Sequence, residues 1–150
     1  MKRVIFLLLI LALLLTLVSC GKDPDAHAVV SELISAYGAE GIIYSSGIPE
    51  GEEGYIDEAL FRMIYSTEEP PPENYAVFLN SHAGYGAECG VFVSRDAAQT
   101  EQILALCRAR IALLDPRGEC GVVIKRGNAV FYSTLRDSER AERLLFASGF

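Results

Sequence analysis

The chain has 150 residues, 51% of them hydrophobic, and a formal net charge of −7. That length accommodates one small domain. The acidic balance argues against a nucleic-acid-binding surface and against a polybasic patch for anionic lipid.

Met1-Lys2-Arg3 forms a short positive start, and Val4 to Val18 follows as an apolar run in which Thr16 is the only polar residue. Fifteen residues at about 1.5 Å each span roughly 22 Å, short of a hydrocarbon core of about 30 Å, so the segment reads as a signal-peptide core rather than a permanent span. It ends Leu17-Val18-Ser19-Cys20-Gly21. An aliphatic residue, a small residue and then Cys resemble the lipobox of bacterial lipoproteins. The resemblance implies cleavage after Ser19, a diacylglycerol thioether on Cys20 and membrane lipid as a partner through that residue. A plain signal peptide and an uncleaved signal anchor are the other readings of the segment. Two or more acyl chains give stable attachment where one holds only marginally. The expected organisation is a signal peptide over 1–19, the lipidated Cys20 with a short tether over 20–24, and one α+β domain over 25–150. Loss of Lys2 and Arg3 reduces the 13 basic residues to 11 against 20 acidic ones, a mature charge of −9.

Asp23-Pro24 reads as a helix start, Asp capping and Pro at the first helical position. Val29, Val30, Leu33, Ile34 and Tyr37 form its apolar stripe, and Gly38 stops it. The tether from Cys20 is then about three residues, which would hold the domain close to the bilayer. Residues 39–54 read as Gly-rich and irregular, with a short apolar patch at Ile42-Ile43-Tyr44. Ile56, Leu60, Met63 and Ile64 fall at helical spacing and predict a second helix. Glu68-Glu69-Pro70-Pro71-Pro72-Glu73 is a stiff, polar connector of polyproline character.

Tyr75 to Leu79 reads as a strand, Asn80 to Gly86 as a turn, and Glu88 to Ser94 as the returning strand. Asp96 with Gln99 three residues on predicts a capped third helix with Ile103, Cys107, Ile111 and Leu114 on one face, ended by Asp115 to Gly118. Cys120 to Lys125 and Ala129 to Thr134 form a hairpin about Gly127-Asn128. Asp137 or Ser138 starts a last helix. The order ααββαββα implies an α+β domain with a mostly antiparallel four-stranded sheet, two hairpins packed with helices. The unit of strand, cap and helix that follows each hairpin is either a pseudo-repeat or a chance similarity.

With the lipobox, Glu88 opening its strand and Lys125-Arg126-Gly127-Asn128 in the second hairpin, the layout over residues 26–148 resembles the small bacterial lipoproteins of the uncharacterised family called domain of unknown function 4358. Cys89 stands where that pattern has an aliphatic residue. The resemblance implies location and fold, and carries no activity, substrate or catalytic residue.

Residues 86–94 (GAECGVFVS) and 118–125 (GECGVVIK) nearly repeat a Glu-Cys-Gly entry to a strand. Cys89, Val91 and Val93 share one face of the first strand, and Cys120, Val122 and Ile124 one face of the second. Were those strands parallel neighbours joined by a helical crossover, a Cys89–Cys120 disulfide would be within reach. The other reading is two reduced core thiols, and Cys107 on its helix face reads as a small buried hydrophobe. His27 and His82 are the only histidines, and the sequence has no CxxC, HxH or HExxH spacing, so no metal or cofactor is expected. It has no GxSxG or SxxK either. Ser45-Ser46-Gly47 and Ser81-His82 read as turn chemistry, and Glu52-Glu53 and Glu68-Glu69 as solvated acids. Tyr44, Tyr55 and Tyr85 lie in or beside Gly-rich stretches, as contact residues or half-buried packing. Two functional classes follow. One is a non-catalytic binding module with an unidentified protein or small-molecule partner, favoured by an exposed face lined with aromatics. The other is a thiol-dependent or hydrolytic surface enzyme using Cys89, Cys120 or the His82 turn, favoured by a deep pocket gathering His82, a Cys and a carboxylate. A purely structural envelope role is the third possibility.

Overall fold

A computed structural model describes residues 23–80 and 87–150. Cys20, where lipidation is expected, His82 and Tyr85 lie outside the described residues. The order is α1 (Ala26–Tyr37), β1 (Gly41–Ser45), α2 (Glu58–Tyr65), β2 (Asn74–Asn80), β3 (Glu88–Val93), α3 (Ala97–Leu114), β4 (Val122–Arg126), β5 (Ala129–Ser133) and α4 (Ser138–Ala147). The domain is α+β, with one open antiparallel sheet of five strands in the order β1-β2-β3-β5-β4.

Both faces of the sheet are covered. Ala76, Phe78, Cys89, Val91, Val93, Ala129 and Phe131 point to one side, where α1 and α4 pack with Val30, Leu33 and Leu145. Tyr75, Val77, Phe92, Val130 and Tyr132 point to the other, where α2 and α3 pack with Phe61, Tyr65, Ile103 and Cys107. The alternation is the ordinary pleat of a strand. Because both faces are dry, β3 and β5 are buried along their whole length, and their sequences show no polar alternation.

The fifth strand is β1, which forms where an irregular patch was expected. Its five residues pair antiparallel with β2, Gly41 opposite Asn80 and Ser45 opposite Ala76. The neighbouring edge of β2 supplies the backbone partners that so short a segment lacks by itself. Helix α1 also starts later than Asp23-Pro24 indicates. Asp25 is its cap, accepting from the Ala28 N–H at 3.1 Å. Asp23 and Pro24 are instead tied to the sheet: Asn128 Nδ2 donates to Asp23 Oδ1 (2.9 Å), and Asn74 Nδ2 donates to the Pro24 carbonyl (3.0 Å). Gly38, in the left-handed conformation at φ 78°, closes the helix as expected.

In α2 the deeply buried residues are Phe61 and Tyr65, while Leu60 and Ile64 are half-buried and Met63 is 70% exposed. The aromatic pair, one turn apart, sets the packing phase because it buries more surface than the aliphatic stripe. Asp96 caps α3, accepting from the Gln99 N–H at 2.8 Å, and Gln99 Oε1 accepts in return from the Arg95 N–H at 2.9 Å. Asp137 caps α4.

The two hairpins are present, but they meet through β3 and β5, which run antiparallel. Strand β5 therefore lies between β3 and β4. Cys89 aligns with Ser133, and Ser133 with Val122, which places Cys120 two residues beyond the start of β4. Two inter-strand steps separate the cysteines by roughly 10 Å or more, beyond disulfide reach. The Cys89–Cys120 bridge is not formed, and Cys89, Cys107 and Cys120 are free thiols. Helices α3 and α4 lie on opposite faces of the sheet. A two-fold relating the hairpins would put both on one face, so the near-repeat does not extend to the helices that follow the hairpins.

Candidate functional site

A concavity of about 400 Å³ lies between α2, the proline connector and α3. Volumes of this size take small ligands. Its floor is aromatic. Phe61 and Tyr65 have ring centroids 4.8 Å apart, and Phe92 meets each of them edge-on, at 6.2 and 5.6 Å. Ile103 and Leu106 form the α3 wall, with the small Ala105 and Ala109 leaving it open. The opposite wall arises at the end of α2. Ser66 takes a left-handed turn (φ 50°) that ends the helix, and the chain passes into Pro70-Pro71-Pro72. Proline cannot supply ladder or helix hydrogen bonds, so this wall stays extended and stands apart from α3. Arg95, Gln99 and Glu69 complete the rim.

Beneath this floor the tyrosines run into a buried polar chain. The Tyr65 and Tyr132 hydroxyls lie 2.7 Å apart, and the Tyr132 hydroxyl donates to Glu88 Oε1. Arg110 of α3 binds Glu88 in bidentate fashion, Nε to Oε1 at 2.9 Å and Nη2 to Oε2 at 2.6 Å. Its Nη1 donates to the Ile64 carbonyl (2.8 Å), and its guanidinium lies 5.8 Å from the Tyr65 ring centre. Burial pushes the Tyr65 and Tyr132 hydroxyls well above the ordinary tyrosine range, and the nearby Glu88 charge adds to the rise. These groups are satisfied by one another and therefore brace the floor; they offer no free acid or base. In the sequence Glu88 is legible only as the residue opening a strand. The signal for Arg110 is its charge three positions after Cys107 on an otherwise apolar helix stripe, which calls for a buried partner.

A second recess of about 340 Å³ holds the other residues of chemical interest. His27 Nδ1 lies 3.1 Å from Ser45 Oγ, a contact made because α1 starts against the end of β1. A hydroxyl and an imidazole within reach are two parts of a nucleophilic site. Ser45 is only 3% exposed, however, and Asp25, the acid lining the same recess, is engaged as the α1 cap. Ser46 Oγ accepts from the Tyr75 N–H at 3.2 Å, so this polar loop does work in the backbone as a turn does.

The cysteines are not gathered at either concavity. Cys89 and Cys107 are wholly buried on opposite faces of the sheet. Burial, followed by the Glu88 charge, raises both thiols far above the usual range, which keeps them protonated and unreactive. Cys120 is half-buried, and its Sγ donates to the Arg136 carbonyl at 3.5 Å. Asp115 accepts from the N–H groups of Cys120 and Gly121, both at 2.8 Å, which holds its carboxyl below the ordinary range. Tyr44 and Tyr55 are half-buried, as packing residues rather than exposed contacts.

No family model matches this chain, and no curated protein or solved structure does either.

Proposed function

We propose that this chain is a lipid-anchored extracytoplasmic protein whose domain is a non-catalytic binding module, with the groove between α2 and α3 as its ligand site. The groove carries the reading: an apolar wall backed by buried aromatic rings, with polar groups at the rim, is the composition of a small-molecule site. Hydrophobic burial would supply affinity there, and the Arg95, Gln99 and Glu69 rim would orient the ligand. Among its described lining residues the aliphatic hydroxyls are those of Ser66 and Thr67, with Thr67 Oγ1 accepting from the Glu69 N–H at 3.1 Å, and no histidine or cysteine joins them. Location rests on the Leu17-Val18-Ser19-Cys20 pattern, and kinship with the small lipoproteins described above rests on the shared layout.

Metabolic labelling of the full chain with an alkyne-bearing palmitate tests the anchor. Wild type takes up label at Cys20 and fractionates with membrane, whereas Cys20→Ser loses the label and is released or stays as precursor. A processed, unlipidated form that remains on the membrane would overturn the anchor. Native mass spectrometry of the protein drawn from its own membranes tests the binding module, with a retained small amphiphile as the expected result and a ligand-free domain as the adverse one.

A further inference from the structure

The groove opens beside the point where the chain leaves for its anchor. Asp23, the first described residue, lines a recess together with Pro70, Arg95 and Gln99. Those last three residues also line the apolar groove. The two concavities thus share a rim of Pro70, Arg95 and Gln99, and Asp23 lines the recess on its far side. Its position is fixed, because Asn128 Nδ2 holds its carboxylate at 2.9 Å and Asn74 clamps the Pro24 carbonyl at 3.0 Å.

Cys20 precedes Asp23 by three residues. Three residues span at most about 11 Å even when fully extended. A lipid on Cys20 would therefore hold Asp23 within about 11 Å of the lipidated residue, and the shared rim close above the headgroup layer. An apolar cleft at that height is within reach of an acyl chain that leaves the bilayer.

We propose that the groove takes an acyl chain of a bilayer phospholipid, entering over the rim formed by Pro70, Arg95 and Gln99; this rests on the anchored-module reading above. The chain lies along Ala105, Leu106 and Ala109 of α3, while Phe61, Tyr65 and Phe92, almost wholly buried, back the groove from beneath. The polar rim stays with the headgroup, and Arg95 is available to it, since its contact with Asp96 is 3.5 Å long and solvent-exposed. The buried Glu88–Arg110 brace keeps the floor open by fixing Tyr65 against α3.

The test uses the full lipidated chain reconstituted in phosphatidylcholine vesicles containing a phospholipid with a photoreactive, alkyne-tagged acyl chain. Illumination, digestion and mass spectrometry then locate the label. The expected label falls on 61–67 and 102–109 and not on α1 or α4. Ala105→Trp and Ala109→Trp, both at exposed helix positions that line the groove, should fill it and cut that label about tenfold, the effect of excluding one or two buried methylenes. The N-terminal peptide from the same digest reports the anchor separately. Lipidated Cys20 with no label in the groove, or label that survives both Trp variants, overturns the acyl-chain proposal while leaving the anchor standing. An unmodified Cys20 overturns the anchor, and with it the membrane as the source of ligand.

Discussion

Each of the three described cysteines meets a different environment, and reactivity follows from that. Cys89 and Cys107 have no exposed surface and thiols raised by burial, whereas Cys120 is half-buried at the entry to β4. Alkylation of the native protein should therefore modify Cys120 alone among them, and all three should react once the chain is unfolded under non-reducing conditions. A native protein that labels at Cys89, or an unfolded one that fails to label at Cys89 and Cys120 together, would contradict this arrangement. Gly90 shows the same dependence on surroundings. A Cβ there would stand 2.7 Å from the Tyr132 ring and 3.1 Å from the Ala76 carbonyl, so only glycine lets the tyrosine lie flat across β3 towards Glu88. The Glu-Cys-Gly repeat that drew attention to a thiol pair marks, in its first copy, a strand whose Glu and Gly serve the Tyr132 network and whose Cys fills the opposite core.

At the scale of elements, the Glu88–Arg110 pair joins β3 to α3, and the Ile64 carbonyl draws in the end of α2. The side chains are 5% and 16% exposed, so either charge alone would be left largely without water. Glu88→Ala or Arg110→Ala should each cost about 3–5 kcal/mol in chemical denaturation, whereas a Glu88→Gln/Arg110→Met double variant should recover much of that loss. Additive losses in the double variant would show that the two groups do not act as a pair. Helices α2 and α3 were legible as helices: α3 shows its cap and its stripe, and α2 a stripe whose aliphatic phase was read one residue away from its aromatic one. Their separation was not, because it depends on where a proline-rich wall stands relative to a helix some thirty positions later. Strand β1 was hidden for a related reason, since an edge strand of five residues is defined by its partner more than by its own pattern.

For the molecule as a whole, the buried tyrosines set an alkaline limit. Tyr65 and Tyr132 are raised by burial, and burial pushes Tyr75 up to about 12. A group whose folded pKa lies above its unfolded value keeps its stabilising effect below the unfolded value and loses it as pH rises through the folded one. Stability should thus be insensitive to these groups at neutral pH and fall from about pH 10 upward as the unfolded tyrosines ionise. Denaturation midpoints between pH 9 and 11, read beside tyrosinate absorbance, check this. The fall should be shallower in a Tyr65→Phe/Tyr132→Phe variant, and an unchanged slope would remove the network as its cause.

The α+β class, the four helices, the two hairpins and the buried Cys107 are written in the chain's own order, because caps, turn residues and apolar periodicity act over a few residues. Sheet order, the fifth strand, the separation of Cys89 from Cys120, the burial of Glu88 with Arg110 and the groove were decided only in three dimensions. Each depends on which strand edges pair and which sheet face a helix covers, and those choices minimise exposed apolar surface and unpaired backbone across the whole molecule, beyond what local spacing records.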